Sequence, residues 1–136
     1  MGSRRFAISL HILVLLSQNK GQWMASDFIA GSININPVLV RKELSNLRKY
    51  GLIESKEGKS GGVTLLKDPE TILLSDIYKI VSNKTILGNA LAAPNQKCPV
   101  GRQINERLHD LSIEAEDILI AKLAQQTLAD FAQRFE

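Results

Sequence analysis

Few side chains in this 136-residue chain could carry covalent or metal chemistry. Cys98 is its single cysteine, and its two histidines, His11 and His109, lie far from Cys98 or from each other along the chain. One cysteine makes no intramolecular disulfide and cannot supply a four-cysteine zinc or iron–sulfur site within one chain. His11 falls in an apolar stretch, where a packing role with one satisfied nitrogen is expected, and His109 sits beside Glu106 and Asp110, where a solvated role is expected. Gly58-Lys59-Ser60 mimics the end of a phosphate-cradling P-loop, but that motif needs a glycine at position 53, where Ile53 stands. With no nucleophile elbow and no metal-binding histidine motif, the sequence does not read as an enzyme.

Charge is the remaining chemistry, and it is uneven. The net charge is only +3, from 17 Lys+Arg against 14 Asp+Glu, but residues 1–68 carry +5 and residues 69–136 carry −2. Six of the ten cations of the first half fall between Arg41 and Lys59. A charge run is ordinarily a solvated face, so the question is whether these cations share one surface. The answer depends on the elements that carry them.

The spacing predicts a helix over Ser3–Ser17, with an apolar stripe wide enough to be buried between two layers. A turn at Gln18–Gly21, a short helix over Ala25–Ala30 ended at Gly31, and a connector over Ser32–Asn36 follow. Asn36-Pro37 is a strong helix start, because Asn accepts a backbone N–H as N-cap and Pro at the first position gives up an N–H that has no helical partner. This helix is expected to run to about Tyr50, with Gly51 as its stop. Val40, Leu44 and Leu47 form its core face. Val38, Lys42, Ser45 and Lys49 cluster on the opposite face, flanked by Arg41 and Asn46. Leu52–Lys56 and Val63–Leu66 read as two short strands joined by a glycine-rich tip. Leu74–Ser82 is a further helix, with Asp76 in its first turn where the helix dipole favours an acid.

Helix, short helix, capped basic helix and hairpin together make a winged helix-turn-helix. In that plan the second helix of the turn enters the major groove and reaches base edges with its early residues. Asn36, Val38, Arg41, Lys42 and Ser45 are the candidate base-reading positions, and Arg48 and Lys49, later on the helix, are candidates for phosphates. The wing offers Lys56, Lys59, Ser60, Gly61 and Gly62, with glycine expected to let the backbone approach a phosphate or enter the minor groove. The seven aromatic residues are expected mostly on core faces, which argues against stacking on single strands.

After the wing the chain changes character. Thr85–Val100 reads mostly as loop, and Gly101 to about Gln125 as the longest helix, roughly 36 Å at 1.5 Å per residue. Ile104, Leu108, Leu111, Ala115 and Ile118 follow a heptad seam along it. A helix apolar on more than one side needs two partners, its own chain and a second subunit. Thr127 then caps a short terminal helix. The division expected is a DNA-binding winged helix over 1–83, a connecting loop over 84–100, and a dimerisation helix with the terminal helix over 101–136. The fold class is mainly α with a small β wing (α+β).

The stretch Leu44-Ser45-Asn46-Leu47-Arg48-Lys49-Tyr50-Gly51-Leu52-Ile53-Glu54-Ser55, followed by Gly58-Lys59-Ser60-Gly61-Gly62-Val63-Thr64-Leu65, resembles the Rrf-type (IscR/NsrR/CymR) family of bacterial transcription regulators. Pro69, the Ile77–Val81 segment, the late Cys98 and the terminal Thr127-Leu128-Ala129-Asp130 extend the resemblance over nearly the whole chain. It implies a homodimer, joined through the long helix, that binds a pseudo-palindromic operator in double-stranded DNA, usually as a repressor. Cluster-binding members carry three cysteines before the long helix. This chain has Cys98 alone, so no iron–sulfur cofactor is expected. Ser82-Asn83 stands where members often show Glu-Gly, and Val63 where an aromatic is common. No residue pattern identifies an effector.

Two alternatives stay open at this point. Winged helices also serve as protein-interaction adaptors. A redox-responsive regulator could use Cys98, since a helix N-terminus with Lys97 and Arg102 nearby can lower a thiol pKa. The longest aliphatic run, Ile12–Leu16, is far short of the ~20 residues that span a bilayer, and the basic start at Arg4-Arg5 precedes no small-residue cleavage site, so a cytoplasmic protein without membrane contact is expected.

Overall fold

A computed structural model describes residues 3–83 and 86–135. The first residues of the loop expected from position 84 lie outside it. Six helices and one antiparallel hairpin are described: α1 (Arg5–Gln18), α2 (Ser26–Ile33), α3 (Pro37–Lys49), β1 (Ile53–Lys56), β2 (Gly62–Leu65), α4 (Leu74–Val81), α5 (Pro99–Leu123) and α6 (Leu128–Ala132). This is the winged-helix architecture expected from the sequence.

The wide apolar stripe of α1 is used on several sides. Ile8, Ile12, Leu13, Val14 and Leu16 are all buried, and α1 packs on α2, α3, α4, α6 and β2. Fully burying one such aliphatic side chain contributes about 1.5–3 kcal/mol, so this helix is the centre of the core. α3 lays Val40, Leu44 and Leu47 into the same cluster. Its start follows the sequence signal: Asn36 Oδ1 accepts from the Val38 N–H at 2.8 Å with Pro37 in the first turn. Its stop is Gly51, whose φ of +77° makes the left-handed turn, after which the Leu52 N–H returns to the Leu47 carbonyl at 3.1 Å.

Several boundaries move, each for a physical reason. α2 does not end at Gly31 but runs to Ile33, and Asn34 supplies the stop in the left-handed conformation at φ +61°. Gly31 has helical room and Asn tolerates the left-handed turn, so the polar residue and not the glycine ends the helix. α5 begins at Pro99, two residues before the expected start, which makes Cys98 its N-cap residue, and it ends at Leu123. β2 pairs with β1 in the register Ile53↔Leu65 to Lys56↔Gly62, and on its other edge exchanges hydrogen bonds with Met24, at 2.9 and 2.8 Å through Val63. That second pairing locks the wing to the α1–α2 connection.

The grouping of α6 with α5 is also corrected. Leu128 and Ala132 belong to the buried cluster of the winged helix, and α6 packs on α1. The chain entering α6 runs beside Ile72–Leu74, with the Leu128 N–H on the Ile72 carbonyl at 2.7 Å and the Leu74 N–H on the Gln126 carbonyl at 3.0 Å. Thr127 and Asp130 cap the helix reciprocally. After its long excursion through α5 the chain therefore closes the core that α1 began. α5 itself buries none of its side chains.

Candidate nucleic-acid interface

Three elements carry the surface: α2, α3 and the hairpin. Val38, Arg41, Lys42, Ser45, Arg48 and Lys49 are all exposed on α3, so its cations share one face while Val40, Leu44 and Leu47 hold the opposite face in the core. Val38 is 61% exposed, an open apolar side chain in the first turn. Asn36 is exposed as well, but its amide oxygen is engaged by the Val38 N–H, which leaves only the amide NH2 for a base edge.

An ion pair between distant segments holds α3 in place. Glu43 projects from its buried side and is 4% exposed in its side chain. Arg5, at the start of α1, meets it with Nε at 2.9 Å from Oε2 and Nη2 at 3.2 Å from Oε1, a two-pronged ion pair across 38 residues of sequence. Hydrogen bonding to Glu43 holds the guanidinium pKa above its ordinary value, against the smaller opposing effect of burial. Arg5 is therefore not one of the surface cations that the charge count included. It anchors the middle of α3 to the N-terminal turn of α1. The register of Val40, Leu44 and Leu47 turns Glu43 inward as well, but periodicity does not say which distant residue meets it.

Arg41 and Arg48 lean toward the hairpin rather than straight outward. Together with Ser26, Ser45 and Ser55 they line an open cleft of about 280 Å³ between α3 and the wing. Arg48 Nη1 donates to Ser55 Oγ at 2.9 Å, and Arg41 Nη1 lies 4.0 Å from Asp27 Oδ1. Lys49 sits over the Tyr50 ring at 5.8 Å and Lys56 over the Trp23 ring at 5.6 Å. Each ammonium is thus steadied by an aromatic face while remaining on the exposed surface.

The wing glycines have an internal reason. A Cβ at Gly61 would collide with the Lys56 carbonyl oxygen, and one at Gly62 would collide with the Met24 carbonyl oxygen, with Gly62 at φ +143° besides. Gly61 closes the hairpin and Gly62 lets it dock against the α1–α2 connection. This packing requirement stands beside the expectation that these two glycines serve approach to a phosphate. Gly58 at the tip is open on all sides at φ +102°, and Lys59 and Ser60 beside it are exposed.

The remaining expected residues lie elsewhere. Phe6 and Phe131 pack half-buried against the core as expected, whereas Phe28 and Tyr50 are more than half exposed, which corrects their expected place on core faces. His11 Nε2 pairs with Ser32 Oγ at 2.9 Å, and His109 is exposed. Cys98 is exposed at the start of α5. Among the described residues no group of three or more His, Cys, Asp or Glu side chains could hold a metal ion. On α5, Ile104, Leu111 and Ile118 are exposed, Ile118 to 73%, and Leu108 and Ala115 are half-buried. No described helix is long and apolar enough to cross a membrane.

Comparison with known proteins agrees with this geometry. The family model Rrf2, described as an iron-dependent transcriptional regulator, matches residues 2–134. YwnA of Bacillus subtilis (strain 168), described as an HTH-type transcriptional regulator, is 35% identical over 130 residues, spanning 96% of each chain. A crystal structure described as a transcriptional regulator of Lactobacillus plantarum is similar with a TM-score of 0.77 and 28% identity, covering 94% of this chain and 87% of that one. CymR, the global cysteine regulator of B. subtilis, shares the fold with a TM-score of 0.68 at 23% identity, covering 100% of this chain and 98% of that one. These relatives are regulators, not enzymes.

Proposed function

Since the chain belongs to the Rrf2 family of transcriptional regulators, we propose that it acts as a homodimeric repressor that reads a pseudo-palindromic operator in duplex DNA. The observation that carries this reading is the exposed cationic face of α3, braced from behind by the core and by Arg5–Glu43, beside a wing whose tip exposes Lys56 and Lys59 together with Glu54 and Glu57. Val38, Lys42 and Ser45, with the Asn36 amide NH2 and Arg41 at its edges, face the base edges of the major groove. Arg and Lys suit guanine, Asn suits adenine, and Val38 suits a thymine methyl. Arg48 and Lys49 face the backbone, and Lys56, Lys59 and Ser60 place the wing in the adjoining minor groove.

The second subunit is inferred from α5. Among the described residues, the 25-residue α5 buries no side chain fully, and Ile104, Leu111 and Ile118 of its seam stay exposed. A second copy, seam against seam, covers them and sets two α3 helices on one side of the dimer. The donor set supports no resident cluster, and the protein works as a cytoplasmic DNA-binding dimer without one. Selecting bound duplexes from a random pool tests the whole reading. A palindrome with half-sites about 34–36 Å apart is expected. A pool that stays random would refute duplex reading, and a single unrepeated half-site would refute the dimer.

A further inference from the structure

The cleft between α3 and the wing is a feature that base reading and wing insertion leave unexplained. Its five polar side chains, Arg41, Ser45, Arg48, Ser55 and Ser26, come from three different elements and surround an apolar floor. Arg48 has one guanidinium nitrogen fixed by Ser55 Oγ at 2.9 Å, and among the described residues no carboxylate lies within ion-pair distance of it. Among the described residues Arg41 has only the carboxylate of Asp27 as an ionic neighbour, at 4.0 Å and highly exposed on both sides. Two guanidinium forks flanking a floor of low polarity form a seat for a tetrahedral anion, since their N–H geometry matches phosphate oxygens.

We propose that this cleft seats one phosphodiester of the duplex backbone, with Arg48 as principal donor, Arg41 as second donor and Asp27 as a carboxylate that weakens the seat. The proposal rests on the duplex reading above and adds a strand path to it. In B-form DNA the sugar–phosphate strand is the wall between the major and minor grooves. With α3 in the major groove and the wing tip in the adjoining minor groove, that wall must cross the space between them, which is this cleft. Arg41 is thereby moved from the base edges to the backbone. Ser55, unremarkable in sequence, becomes the residue that pre-sets Arg48.

The test uses the full chain, salt-titrated binding to 30-bp duplexes, and duplexes carrying one neutral methylphosphonate at a time. Arg48→Gln is expected to keep the melting temperature and base preference of the parent. Its log affinity–log salt slope should be shallower by about 0.9 per half-site, or about threefold less affinity lost between about 50 and 200 mM salt. One methylphosphonate position per half-site should weaken the parent protein and add no further loss to Arg48→Gln. Asp27→Asn should bind more tightly. An equal methylphosphonate penalty in parent and Arg48→Gln at every position would overturn the seat, and so would a changed base preference with an unchanged slope. Unaltered or weaker binding by Asp27→Asn would remove Arg41 from it. Inorganic phosphate at matched ionic strength should leave the Arg48 effect intact; its loss would assign the cleft to a free anion instead. A parent protein that binds no duplex would overturn the duplex reading itself, an outcome distinct from these.

Discussion

Removing Arg5 should destabilise the fold more than removing any exposed cation, although it lies at the very start of the first helix. Its two hydrogen bonds reach a carboxylate whose side chain is 4% exposed, while the arginine side chain itself is 41% exposed. An exposed pair contributes about 0–1 kcal/mol, whereas leaving one partner of a buried pair alone costs about 3–5 kcal/mol. This pair is buried on one side only. In Arg5→Ala, water entering through the space left by the guanidinium would solvate part of the Glu43 carboxylate, so a loss of about 2–3 kcal/mol is expected. For a domain of this size that corresponds to about 6–12 °C in Tm. Arg5→Met with Glu43→Leu should recover most of the loss, because no buried charge remains. Urea unfolding of the parent, Arg5→Met, Glu43→Leu and the double variant gives the coupling energy directly. A coupling below about 0.5 kcal/mol, with both single variants near the parent, would refute the idea that this pair anchors α3. The pH dependence has a definite sign. A guanidinium whose pKa is raised on folding contributes stability that is complete below its unfolded pKa and fades only as pH rises through the folded value. Arg5's share should therefore be constant from about pH 5 to pH 10 and disappear only in strong alkali.

Other perturbations address the surface and the assembly. Gly62→Ala should destabilise the wing by about 2 kcal/mol or more, because the new methyl meets the Met24 carbonyl at a backbone angle unfavourable to L residues; unchanged unfolding in urea would contradict this. Lys42→Ala should relax base preference and cost about 1–3 kcal/mol in operator affinity, whereas Lys59→Ala should reduce the salt slope and leave preference intact, both read by salt-titrated mobility shift. Leu111→Asp should shift the solution mass at micromolar protein from two subunits toward one, by placing charge in the apolar seam of α5, and an unchanged dimer would place the interface elsewhere. Oxidant titration of the DNA complex should give the same response in the parent and in Cys98→Ser; a response that vanishes with the thiol would establish redox control through this exposed residue.

The sequence by itself determined the elements and their order. Local signals are self-contained there: Asn36-Pro37 starts α3, Gly51 ends it, the 3.6-residue spacing of Val40, Leu44 and Leu47 orients it, and Thr127 with Asp130 starts α6. The orientation also placed Val38, Lys42, Ser45 and Lys49 on the outward face, since a helix leaves no other choice once its core face is known. Tertiary structure decided what depends on neighbours distant in sequence. Glu43 falls on the core face of α3, but only folding brings Arg5 to it, at 2.9 Å. Gly61 and Gly62 look like a mobile tip until Lys56 and Met24 are seen against them. α6 looks like an appendage of α5 until Leu128 is found in the core of the winged helix. Arg48 and Ser55 share a cleft only because the hairpin folds back along α3. Periodicity and capping are properties of a few consecutive residues, and a sequence displays them. An ion pair, a steric exclusion or a cleft is a property of chain segments brought together, and it exists only once the core has been assembled.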